Sequence, residues 1–347
     1  MENSTKEKYL GDVIDKSGGI KATIEERKSK GYAAVSEILA ILKDIPLGEY
    51  KMEIGLQLRQ AMFLISILYN SEAWHGVSNE DMKILESIDE YLLRSLVQGH
   101  AKTPLEFLYL ETGSTPIRHI ISGRRLIYLQ SILKREENEL TRRILVAQKN
   151  APSPGDFVNL VEVDLKMANL DMDYKEIESV STDVFKKIVK KKIKEAALKH
   201  LKELQSTHSK IKHIKYDLFK CQPYILSPIF TNNDVNLLHS LRGRMIDCKA
   251  NFRGRHGNEV SCPLCDDGSV DDQPHILACP KIVEKLSASE IAKNKVKYED
   301  IFGELSEQKE ATVLFRKMLD IRKSLIENQN QAQELNQSLP VAIRTGP

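Results

Sequence analysis

Two residues separate Cys262 from Cys265, nine separate Cys265 from His275, and three separate His275 from Cys279. This spacing can close four soft ligands tetrahedrally around one Zn²⁺. A loop pinned in this way needs no large core, because a structural zinc contributes ~10–16 kcal/mol in small zinc peptides. Four protein ligands leave no open coordination position, so the pattern predicts one structural Zn²⁺ per chain and no metal-activated water. A zinc deaminase would need His-x-Glu and Pro-Cys-x-x-Cys; here Pro263 follows the first cysteine and no His-x-Glu precedes it. Asp266, Asp267, Asp271 and Asp272, between the ligand pairs, read as an exposed hairpin. Metal loss should then unfold residues 251–280 and spare the helices elsewhere.

The 347 residues suffice for about two domains with buried cores. A net charge of +2 does not by itself call for a polyanionic partner. Cys221 and Cys248 lie outside the cluster, and the odd count of five cysteines fits disulfides poorly. The polar opening Met1–Lys8 carries no secretion leader, and the longest apolar run, Ala61–Tyr69, is short for a membrane helix. The expected setting is reducing and intracellular, nuclear or cytoplasmic, with no membrane and no secretion.

Tyr9–Asp15 reads as a short strand closed by a turn at Ser17-Gly18-Gly19. Helical periodicity follows. Ile38, Leu39, Leu42 and Ile45 form one stripe, stopped by Pro46-Leu-Gly48; a second helix covers Met52 to Tyr69. Ser78-Asn-Glu-Asp81 has capping-box spacing before Leu85, Ile88, Leu92 and Leu96. Pro104 and Pro116 open two further helices, and Asn150-Ala-Pro-Ser-Pro-Gly155 reads as a linker. Beyond Pro280 a polar stretch precedes a helix with Ala311, Leu314, Phe315, Met318 and Leu325 on one face. From Asn328 the Gln/Asn-rich composition predicts a disordered tail.

After the linker, Phe185, Ile188, Val189, Ile193, Ala196, Ala197, Leu201 and Leu204 form an apolar stripe. The other faces of that helix carry Lys186, Lys187, Lys190, Lys191 and Lys194, opposed by Glu195 and Glu203. A lysine-rich face is most often simply solvated, but this density of one sign makes phosphate contact an equal contender. Near the cysteine cluster, Arg242, Arg244, Lys249, Arg253 and Arg255 form a second basic segment, beginning at the end of a helix read over Asn236–Met245.

No catalytic constellation emerges. Neither a Gly-rich phosphate loop nor a Gly-x-Ser-x-Gly elbow occurs, and His75 and His119 beside apolar stretches read as structural. Asp300 with Glu307-Gln-Lys309 loosely matches a nuclease pattern, but Ser306 as an N-cap with Glu307 and Glu310 in the first helical turn explains it better.

Lys8-Tyr-Leu-Gly11, Leu68-Tyr-Asn-Ser-Glu-Ala-Trp74, Thr103-Pro-Leu-Glu106, Leu110-Glu-Thr-Gly113 and Arg124-Arg-Leu126 follow one another along the chain. Leu241-Arg-Gly-Arg-Met245 and Lys249-Ala-Asn-Phe252 then lead into the cysteine cluster. In this order they resemble reverse transcriptases of non-LTR (LINE-type) retrotransposons downstream of the catalytic palm. The resemblance implies a mainly α fold: a palm-end β remnant (1–19), a thumb-like helical domain (20–150), and a linker with a basic helical connector (151–230). A basic segment with a zinc knuckle (231–282), a C-terminal helix (283–327) and a disordered tail (328–347) complete it. It further implies RNA or DNA binding through phosphates, with no small-molecule substrate. The family's Tyr/Phe-Ala-Asp-Asp palm motif is missing from this sequence, which predicts no polymerase activity for this chain alone. The alternatives are a decayed or domesticated fragment serving only as a zinc-stabilised structural or interaction protein, and a polymerase subunit whose palm lies on another chain.

Overall fold

In the computed structural model, which describes residues 6–9, 12–15, 20–45, 51–265, 267–287 and 296–338, β1 (Lys6–Tyr9) and β2 (Asp12–Asp15) pair antiparallel, with Tyr9 opposite Asp12. The single strand read from Tyr9 to Asp15 is therefore a two-stranded ribbon. Its charged first strand shows no apolar alternation, which hides it from pattern reading. The ribbon is tied to α1 (Lys21–Lys43) by side chains. Thr23 Oγ1 donates to the Val13 carbonyl and accepts from its N–H at 3.2 and 3.1 Å, and buried Arg27 reaches Asp12 at 2.6 Å. The turns expected at Ser17–Gly19 and Pro46–Gly48, as well as Asp266 and residues 339–347 of the expected tail, lie outside the described residues.

The described residues form two units, one of Met1–Val97 and Pro104–Leu226, the other of Gln98–Thr103 and Ser227–Pro347. In the first, α2 (Lys51–Leu58) continues through a π-helical turn (Arg59–Phe63) into α3 (Leu64–Ile67). Ser78 and Asp81 form the expected reciprocal cap at 3.0 and 3.1 Å ahead of α4 (Asn79–Val97). Pro104 and Pro116 precede α5 (Leu105–Thr112) and α6 (Ile117–Leu133), as their fixed φ favours. Next come α7 (Leu140–Asn150), α8 (Phe157–Met167), α9 (Tyr174–Ser179), the 26-residue α10 (Thr182–Thr207) and α11 (Pro223–Leu226). The Asn150–Gly155 segment joins two helices of this one unit. Leu129 and Leu133 before it share a core with Val161, Phe185 and Val189 after it.

Several quoted motifs have clear packing roles in this unit. The Glu111 carboxylate is buried and accepts from Tyr216 and Tyr224 hydroxyls at 2.5 and 2.6 Å, while its carbonyl accepts from Gln222 N–H at 2.8 Å. Gly113, at φ +62°, ends α5 where the backbone of Lys220 and Cys221 passes; a Cβ there would lie 2.3 Å from that backbone. Arg124 donates to the Leu68 carbonyl and Arg125 to Asp164 at 2.7 Å, so the Leu68–Trp74 stretch and α8 are both anchored on α6.

The second unit holds α12 (Asn232–Arg242), capped by Thr231 and Asp234, and the short helices α13 (Arg253–His256), α14 (Gln273–Ala278) and α15 (Pro280–Val283). A 3₁₀ turn (Tyr298–Phe302) precedes α16 (Leu305–Ser338). Here α12 is shifted toward the N-terminus from the expected Asn236–Met245. The last helix also runs through residues 328–338, where a disordered tail was expected. The Gln and Glu that make this segment polar are themselves good helix formers, as is Ala332, and the preceding turns supply the nucleus. Helix dominates the described residues, with strand confined to the ribbon.

Candidate metal centre

A short antiparallel neck sets the first ligand pair. Ser261 bridges Val270, Cys262 N–H donates to the Ser269 carbonyl at 2.8 Å and Asp271 N–H to the Val260 carbonyl at 2.7 Å. Asp267 Oδ1 turns the loop by accepting from Ser269 N–H at 2.9 Å. Past the neck, Asp272 caps α14 by accepting from His275 N–H at 2.9 Å, which places the imidazole in the first turn. Cys279 lies between α14 and α15, and Pro280 starts the second of these helices. The ligand atoms of Cys262, Cys265, His275 and Cys279 all lie within 4.8 Å of one another.

Cys262 Sγ is 3.9 Å from Cys279 Sγ, far beyond the ~2.05 Å of a disulfide. Cys265 Sγ is 3.3 Å from His275 Nε2 and 3.0 Å from Asp267 Oδ1. Burial pushes the Cys265 and Cys279 thiols up, and the neighbouring Cys262 sulfur adds to the effect in both. Crowded, buried thiols resist ionising beside one another; a dication among them would reverse that balance and deprotonate them. These four residues can hold a metal ion.

The acidic residues between the ligand pairs are not a uniformly exposed hairpin. Asp271 is fully buried and Asp272 is the cap just described. The expectation failed because a carboxylate can be buried when fixed cations and backbone N–H groups meet it.

The predicted basic residues divide into two groups. Lys186, Lys187, Lys190, Lys191 and Lys194 are all exposed on α10, whose buried stripe is Phe185, Val189, Ile193, Ala197 and Leu201. Glu195 approaches Lys191 at 4.0 Å and half-buried Lys192 at 3.7 Å. The second segment is mixed, from buried Arg242 to exposed Arg253 and Arg255. Arg242, expected on a phosphate-facing surface, is buried: it donates to the Ile301 carbonyl at 3.1 Å and stacks 4.9 Å over Phe302. The planar guanidinium suits such a stacked interior site. Half-buried Arg244 reaches Tyr298, Lys249 pairs with Glu259 at 3.2 Å, and exposed Arg255 pairs with Asp247 at 3.1 Å. Arg253 is exposed.

The side chains of the loose nuclease pattern each have a structural partner. Glu307 accepts from Glu304 N–H at 2.9 Å, Asp300 from Lys297 N–H at 2.7 Å, and Lys309 pairs with Asp234 at 2.6 Å. No helix among the described residues is long and apolar enough to cross a membrane. No family model, curated protein or solved structure matches the chain.

Proposed function

We propose that this chain binds the phosphate backbone of RNA or DNA without polymerising, as the C-terminal thumb, connector and zinc-knuckle portion of a non-LTR retrotransposon reverse transcriptase. The observation that carries the reading is the lysine face of α10, where Lys186, Lys187, Lys190, Lys191 and Lys194 are all exposed and Glu195 comes within 4.0 Å of Lys191. Such a face neutralises successive phosphates and releases their counterions without reading bases. The ordered motifs of the sequence support the family assignment.

Zinc is the ion that best suits the cluster. Tetrahedral Zn–S bonds of ~2.3 Å place two sulfurs roughly 3.8 Å apart, and Cys262 and Cys279 are separated by 3.9 Å. Three thiolates and an imidazole are a closed structural set, so the residues hold the ion for architecture and leave no place for substrate. The internal use of Arg242 and the half-buried Arg244 favours one alternative, a zinc-stabilised structural or interaction protein descended from such an element.

Replacing Lys187, Lys190, Lys191 and Lys194 with alanine separates the two readings. Phosphate binding predicts weaker affinity for duplexes of any sequence and a log–log salt slope shallower by about 0.9 per lost contact. Unchanged affinity and slope would leave the lysine face as solvated surface and favour the interaction-protein reading.

A further inference from the structure

Asp271 gathers three segments of the second unit onto one carboxylate and its peptide group. Its N–H donates to the Val260 carbonyl in the neck of the ligand loop. Its carbonyl accepts from Ala250 N–H at 3.0 Å, and its Oδ2 from Lys249 N–H at 2.8 Å; both donors begin the arm that runs through Arg253 and Arg255. The same Oδ2 accepts from Arg322 Nη2 of α16 at 2.8 Å, and Arg322 Nη1 donates to the Asp247 carbonyl at 3.2 Å. Asp271 follows Val270 of the neck and precedes the cap of the His275 helix. Arg322 is itself nearly enclosed, with 13% of its side chain exposed.

We infer that Asp271 is a positioning residue that transmits occupancy of the metal centre to residues 249–256 and to α16 around Arg322. An occupied centre fixes the neck, and the neck holds Asp271 where three donors converge. When the ion leaves, the neck is no longer closed at its ligand end. Asp271 then moves with it: Lys249 N–H and the Arg322 guanidinium lose their shared carboxylate oxygen, and Ala250 N–H loses the Asp271 carbonyl. Buried donors left without an acceptor do not stay packed, so the arm and the helix loosen together. The inference rests on the reading that the cluster binds a metal.

The test uses the full chain loaded with Co²⁺, whose thiolate charge-transfer absorption reports the centre, and reads backbone hydrogen exchange. In Asp271→Asn the absorption should persist, while exchange at residues 249–256 and 319–326 should rise roughly tenfold, matching a lost charge-assisted hydrogen bond. Metal-free wild type should show the same two segments loosened. Arg322→Met, remote in sequence from the ligands, should also loosen residues 249–256 with the absorption intact, and it serves if Asp271→Asn fails to fold. Protection of both segments unchanged in a variant that retains the absorption, or unchanged in metal-free wild type, overturns the inference. Failure of the wild type to bind Co²⁺ or Zn²⁺ sinks the metal reading itself, which metal content measures separately.

Discussion

Replacing Asp89 with asparagine strikes the most heavily committed charge in the first unit. Asp89 is fully buried and accepts from Arg59 Nε and Nη2, both at 2.6 Å, and from the Tyr109 hydroxyl at 2.9 Å. Arg59 is equally enclosed and also donates to the Thr115 carbonyl at 3.2 Å. Burial works against the Arg59 charge, but Asp89 overrides it and holds the guanidinium above its ordinary value. Burial and the Asp89 charge push the Tyr109 hydroxyl well up, so it stays a donor. Asparagine keeps the shape, loses the countercharge and offers an amide N–H where two donors already point. Breaking one side of a buried pair costs roughly 3–5 kcal/mol. In urea unfolding followed by far-UV circular dichroism, the first unit should lose that amount. The double variant Arg59→Met/Asp89→Leu should be less destabilised than Asp89→Asn, because it removes both charges. Asp89→Asn within about 0.5 kcal/mol of wild type, the range of ordinary surface changes, would refute the reasoning.

Two further perturbations bear on the same unit. His119 is buried beside His200, with ring centroids 5.3 Å apart, and burial first, then His200 and Arg118, pull its pKa from 6.5 to about 4. The unfolded state therefore binds the extra proton: stability should be full above pH 6.5, fall by about 3 kcal/mol in total toward pH 4 and then level off, and His119→Leu should flatten that part of the stability–pH curve. Gly113→Ala places a methyl group against the Lys220–Cys221 backbone at a left-handed φ, so thermal unfolding should show a loss of roughly 2 kcal/mol or more; an unshifted transition would mean that the close passage is not formed in solution.

Much of the first unit is legible from local chemistry. The Ser78–Asp81 cap, the Pro104 and Pro116 starts and the Phe185–Leu201 stripe need only nearest neighbours in sequence, and each lies where its residues direct. The ligand cluster is legible for the same reason, because its spacing is local. What escaped depends on partners far along the chain. Arg242 looks like any surface arginine until Ile301 and Phe302 close over it, and Asp271 looks like a loop aspartate until Arg322 arrives from α16. The Asn150–Gly155 segment carries linker composition, yet residues on both sides condense into one core. Composition reports what a segment can tolerate, not which distant surface covers it.

Metal analysis of the full chain, purified without chelator, tests the centre most directly. About one zinc per chain is expected, with Cys265→Ser lowering that content. The loss should reach beyond residues 251–280, because Gln273 donates to the Leu241 carbonyl at the end of α12 and Asp271 holds Arg322 of α16. Limited proteolysis of Cys265→Ser should therefore open the second unit while the helices of the first survive. A chain that carries no zinc, or a Cys265→Ser variant with native metal content and protease resistance, would contradict the zinc assignment.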